Sequence, residues 1–94
     1  MEFRYHHDPE TGLPHIYGHG ITEQEIEQVM RGAGDDFAGS EDSRMKIGKT
    51  AAGRLLQLIY VPDDDRQGVF IVTAYEPTPK GKKAFRRRKR RKGK

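Results

Sequence analysis

The run from Gly68 to Pro77, G-V-F-I-V-T-A-Y-E-P, limits the possible folds more than any other stretch, because nowhere else is the chain so continuously apolar and β-branched. Val69, Phe70, Ile71 and Val72 in succession predict a central strand covered on both faces, since a half-exposed strand alternates apolar with polar residues. Pro77 has no N–H for a ladder and holds its predecessor extended, which places Tyr75 and Glu76 at the strand's exit. With 94 residues, 33% of them hydrophobic and none tryptophan, the chain has apolar material for one sheet and one helix and little beyond.

The helix is marked by its own ends. Thr22 and Glu25 have the spacing of a capping box, Ile21 and Ile26 flank it as a hydrophobic staple, Arg31 suits the negative helix end, and Gly32 is placed to stop it. A helix over about Glu23 to Arg31 is expected, resting Ile26, Val29 and Met30 on a sheet. Before it, Glu2 to His7 alternates weakly around Phe3 and Tyr5 and reads as a short strand. Asp8 to Gly20, with two prolines and three glycines, reads as a loop pinned by Leu13, Ile16 and Tyr17. After the helix, Ala33 to Ser43 reads as an acidic loop anchored by Phe37. Arg44–Lys49 and Arg54–Val61 read as a hairpin closed by T-A-A-G, and Pro62 to Gly68 as a turn. The expected fold is α+β, an antiparallel sheet of three to four strands packed on one helix over residues 1–79.

Residues 80–94 are a different kind of chain. They hold eleven of the eighteen Lys and Arg and none of the fourteen Asp and Glu, which leaves residues 1–79 with seven bases against fourteen acids, a net of −7. With only Ala84 and Phe85 apolar, the segment cannot build a core and predicts a basic tail that is disordered, or a nascent helix in isolation. Polyanion affinity then comes from Lys80, Lys82, Lys83, Arg86, Arg87, Arg88, Lys89, Arg90, Arg91 and Lys92, with Lys94 beyond them and Phe85 as a base-stacking group. The absence of cysteine excludes disulfides and thiolate metal sites. No apolar stretch approaches the roughly 18 residues of a bilayer span, and Met1 to Tyr5 lacks the apolar core of a signal peptide. A cytoplasmic location without membrane partners is expected.

The order Asp8-Pro9, nine residues, His19-Gly20-Ile21, an acidic helix start, then Gly53-Arg54-Leu55 and Ile71-Val72-Thr73-Ala74 resembles the BrnT family, small RelE-like toxins of bacterial type II toxin–antitoxin pairs. Thr11, His15 and Gly18 stand where that family carries Lys, Asn and Lys, and Tyr75 where its strand ends in Arg. The resemblance implies a RelE-like fold, metal-independent endoribonuclease activity on RNA or at the ribosome, and a cognate antitoxin protein as partner.

Metal-free RNA cleavage needs a base, an acid and a cation at the phosphate. His19 supplies a group that titrates near neutrality, Arg54 a bidentate phosphate clamp, and Tyr75 a proton donor or stacking ring, with Arg44 and Lys46 at alternate positions of one strand to join them. The same residues have structural readings. His19 between two glycines fits a turn, Arg54 an ion pair with the abundant acids, Tyr75 the edge of the core, and Arg44, Lys46 and Lys49 the guarded outer face of an edge strand. His6, His7, His15 and His19 around Asp8 suggest a metal, but Gly18 and Gly20 oppose the helix that would bring His15 and His19 together, so neither metal nor cofactor is expected. A toxin endoribonuclease using His19, Arg54 and Tyr75 is the leading expectation. The alternative is a non-enzymatic RNA- or ribosome-binding module working through the basic segment.

Overall fold

In the computed structural model, which describes residues 1–65 and 67–92 and side chains as far as Arg87, five strands form one sheet in the order β1-β5-β4-β3-β2. They are β1 (Glu2–Tyr5), β2 (Gly34–Ala38), β3 (Arg44–Lys49), β4 (Leu55–Pro62) and β5 (Gly68–Tyr75). Helix α1 (Glu23–Arg31) and a short 3-10 helix (His15–His19) cover one face, and α2 (Pro79–Lys92) touches the other.

The class is α+β, as the sequence implies, but the sheet is larger and mixed. β2 to β5 are antiparallel neighbours, whereas β1 lies parallel to β5 with Phe3 beside Val69 and Tyr5 beside Ile71. β2 occupies the stretch expected to be an acidic loop. Its low strand propensity is overridden across the sheet, where Asp36 accepts from Arg44 Nε at 2.9 Å and from the Tyr60 hydroxyl at 2.6 Å. Extended β2 makes β3 an interior strand, so Arg44, Lys46 and Lys49 do not guard an edge.

The centre of the sheet is β4, not the Gly68–Tyr75 strand. Val69, Ile71 and Ala74 of β5 are buried under the helices while Phe70, Val72 and Thr73 on the other side are half-buried. The ladder shifts register near its middle, Ile59 facing Thr73 and Tyr60 facing Ile71, and this bulge lets both Ile71 and Ala74 point into the core. Ile16, Ile21, Ile26, Val29, Leu56 and Leu58 complete that core, each 1% exposed or less. Leu13 and Tyr17, expected to pin the loop, stay 52% and 44% exposed, and Ile16 alone of the three is buried.

Helix α1 has the expected bounds. Thr22 Oγ1 accepts the Glu25 N–H at 3.2 Å and the Thr22 N–H returns to Glu25 Oε1 at 3.0 Å. At the other end Gly32 is extended rather than left-handed, and the helix-end carbonyls are met from the sheet by Lys46 Nζ, 2.9 Å from Met30 O and 3.0 Å from Gly32 O.

The segment expected to be a tail, disordered or at most a nascent helix, is a helix docked on the sheet. Thr78 starts it, accepting the Gly81 N–H on its hydroxyl at 3.2 Å and the Lys82 N–H on its carbonyl at 2.9 Å, with Pro79 at the first helical position. Phe85, 1% exposed, packs on Ile47 and Leu55. Both alternate with residues that face α1, so α2 docks on the opposite side of the sheet. Among the described residues no helix is long and apolar enough to cross a membrane.

Candidate nucleic-acid interface

Helix α2 is fastened by one apolar side chain and presents bases around the rest of its described length. Lys80, Lys83, Arg86 and Arg87 are exposed, and Lys83, Arg86 and Arg87 line one shallow depression together with Pro79. The spacing i, i+3 and i+4 brings those three cations to one face, where neighbouring phosphates can be contacted together. Lys82 is half-buried and near enough to Glu76 to help lower its pKa. The side chains of Arg88, Lys89, Arg90, Arg91 and Lys92, and the whole of Lys94, lie outside the described residues. Phe85, expected to stack on bases, is committed to the sheet instead.

Arg54 sits between acids. Its Nε donates to Glu76 Oε1 at 2.8 Å, and its Nη1 donates to the Gly20 carbonyl at 2.9 Å and to both oxygens of Glu25 at 3.1 and 3.2 Å. One guanidinium thus ties the start of α1, the end of the 3-10 helix and the exit of β5. The Glu76 hydrogen bond foremost, then Glu25, raises the Arg54 pKa. The pair answers in kind: Glu76 is held below the usual carboxylate range chiefly by Arg54, and Glu25 chiefly by the Thr22 N–H and then by Arg54. Two of the three guanidinium nitrogens that would clamp a phosphate, Nε and Nη1, already serve two carboxylates and a carbonyl.

The expected companions of Arg54 divide between the two sides of the sheet. Tyr75 pairs with Gln57, itself beside Ile47, in the row that flanks the docking site of Phe85. Lys46 pairs with Leu58 on the α1 side, where it is 9% exposed. Arg44 lies on that side too, paired with Asp36. The hydroxyl of Tyr60, against the same Asp36, has its pKa pushed up to about 12 by burial and by that hydrogen bond. Lys46 and Arg44 therefore do not share a face with Tyr75.

His19 ends the 3-10 helix, and its Nε2 is 3.3 Å from Nε2 of His15. His15 in turn holds Asp8 Oδ1 through Nδ1 at 2.7 Å. The hydrogen bonds of Arg54 go to Glu76, Gly20 and Glu25 rather than to either ring.

No family model, curated protein or solved structure matches this chain. The resemblance to BrnT toxins accordingly rests on the short motifs in the sequence.

Two signals in the sequence pointed to the ordered part of this interface. Thr78-Pro79 is a helix start, and Phe85 is the lone bulky apolar residue within reach of a sheet. The density of charge around them favours the reading of an unstructured tail, while the anchoring partners Ile47 and Leu55 lie thirty residues or more away in sequence and carry no local mark.

Proposed function

We propose that this protein is a non-enzymatic RNA-binding module in which α2 carries the phosphate-binding surface and the sheet carries α2. The observation that supports it is the grouping of Lys83, Arg86 and Arg87 in one exposed depression on a helix docked by Phe85. Docking makes the difference between a floppy polycation and a surface: the cations on the described face keep a fixed spacing, so less ordering entropy is lost when phosphates bind. Half-buried Tyr75 lies on the side of the sheet where α2 docks, an aromatic ring on the same face as the helix, and an aromatic of that kind stacks on unpaired bases, which favours single-stranded RNA over duplex.

The endoribonuclease reading asks more of the same residues. It requires Arg54 to leave Glu25 and Glu76, and His19 to turn from His15 toward substrate. The module reading requires neither.

The test is fluorescence anisotropy on a labelled single-stranded RNA over a range of salt, with the RNA recovered afterwards on a sequencing gel. The module predicts intact RNA and a log–log salt slope that falls by about 2 when Lys83, Arg86 and Arg87 are replaced together by Gln, at about 0.7 per phosphate contact. An unchanged slope removes α2 as the binding surface. Cleavage by the parent that is lost in Arg54→Ala, with binding retained, replaces the module by the toxin-like endoribonuclease.

A further inference from the structure

Outside the basic helix, a group of titratable side chains gathers where the loop after β1 folds onto the 3-10 helix. The His15 and His19 rings stand edge to face with centroids 5.0 Å apart, and the His6 ring lies 5.8 Å from His15. Backbone bonds hold this region in shape: the His15 N–H donates to His6 O at 2.8 Å, and the Asp8 N–H to Leu13 O at 2.9 Å. Gly20, left-handed with φ 70°, closes the 3-10 helix and returns its N–H to Tyr17 O. His15 and His19 are four positions apart, and it is the tight 3-10 turn rather than an α-helix that brings them together.

The geometry points to a binding site for Zn²⁺ formed by Nε2 of His15 and Nε2 of His19. Two imidazole nitrogens bound to zinc at about 2.0–2.1 Å with a tetrahedral angle between them lie about 3.3–3.4 Å apart, whereas a right-angled pair at the same bond length lies about 2.9 Å apart. The observed separation is 3.3 Å. The protonation pattern suits a ligand as well. A carboxylate can only accept, so the His15 Nδ1 that faces Asp8 Oδ1 at 2.7 Å carries the hydrogen, and in the neutral ring the lone pair then sits on Nε2, the atom that faces His19. This is the carboxylate–histidine arrangement that orients zinc ligands and raises their basicity.

His7 is set apart, its Nδ1 2.8 Å from the Tyr5 carbonyl oxygen. Among the described residues no group of three or more His, Cys, Asp or Glu is arranged to hold a metal ion. The site is therefore a pair, and its remaining positions fall to water or to an external ligand, as in zinc centres that keep open coordination. Bound metal would tie the 3-10 helix at both its ends, at His15 and at His19.

The test uses the untagged full chain, Zn²⁺ as the chloride, and two readouts. In the parent, long-range ¹H–¹⁵N spectra follow the imidazole nitrogens during titration. One equivalent of Zn²⁺ moves the Nε2 resonances of His15 and His19 together and leaves those of His7 in place. Saturation without that paired movement, or the same movement with Mg²⁺, overturns the site. Calorimetry then compares variants whose circular dichroism matches the parent. Asp8→Asn weakens Zn²⁺ binding about 10-fold or more, His19→Gln weakens it further, and His7→Gln leaves it unchanged. A His19→Gln protein that binds Zn²⁺ as tightly as the parent also overturns it. Because the parent spectra need no substitution, the proposal stands or falls even where a variant does not fold.

Discussion

Lys46 Nζ lies 2.9 Å from the carbonyl oxygen of Met30 and 3.0 Å from that of Gly32, so a strand lysine serves as the C-terminal cap of the helix packed above it. The charge is buried but well placed, at the negative end of α1 and hydrogen-bonded twice. Replacing it by methionine keeps most of the volume and leaves both carbonyls without this donor. Lys46→Met should lower stability by about 1–3 kcal/mol, read as a shift in the urea midpoint at unchanged slope. RNA affinity should not move, because this ammonium faces α1 and not α2.

The Arg54 cluster predicts acid lability of known sign. Glu25 and Glu76 are held below their ordinary value of 4.5 in the folded protein. Their contribution is therefore present above 4.5 and lost as the pH falls through the lowered values. Melting temperature followed downward from neutral pH should stay level and then decline in that window. Glu25→Gln should begin lower and decline less. Arg54→Ala should cost about 1 kcal/mol at neutral pH, since the groups are partly solvated, and should leave RNA binding intact.

Phe85 is the fastening of α2. Phe85→Ala removes its contacts with Ile47 and Leu55 and should release the helix before the sheet unfolds, because the rest of the core lies on the other face. Amide exchange should lose protection over residues 82–87 while β4 and β5 keep theirs. Affinity for RNA should fall only modestly, since every charge remains. Coincident loss of protection in the sheet would show that the two faces unfold as one unit.

The Tyr5 hydroxyl is buried with no hydrogen-bond partner among the described residues, and desolvation together with the nearby Glu23 and Glu27 carboxylates raises its pKa far above the usual tyrosine value. An unsatisfied buried hydroxyl costs stability that a ring alone does not. Tyr5→Phe should be neutral or stabilising by about 1 kcal/mol in thermal unfolding. A destabilised variant would mean that this oxygen is hydrogen-bonded in solution.

Features specified within a few residues were legible in the sequence. The bounds of α1 followed from Thr22 and Glu25, and the strand character of β5 from its β-branched run, because capping and periodicity are local. Features specified across the fold were not. The Asp35-Asp36 stretch is a strand whose Asp36 accepts side-chain hydrogen bonds from Arg44 on β3 and Tyr60 on β4, and neither partner is visible inside the stretch. A lysine between Met45 and Ile47 has the pattern of an outward residue until the end of α1 is known to lie over it. At the candidate site, the ion-paired reading of Arg54 was available from the excess of acids, but choosing Glu25 and Glu76 required the fold. The pairing of His15 with His19 was hidden for a different reason: the glycines that exclude an α-helix there permit a 3-10 turn that achieves the same approach.

The parallel pairing of β1 with β5 has a kinetic side. Glu2 meets Gly68 and Tyr5 meets Ile71, so almost the entire domain must be looped out before this ladder can close. Hairpins β2–β3 and β3–β4 need only short loops and can form early, whereas β1 has to wait for a partner strand more than sixty residues distant. In the interval, the flank of β5 that will receive β1 is a bare sheet edge. The domain is then most open to strand addition by a second chain at that late moment of folding, on the edge that the native protein never shows.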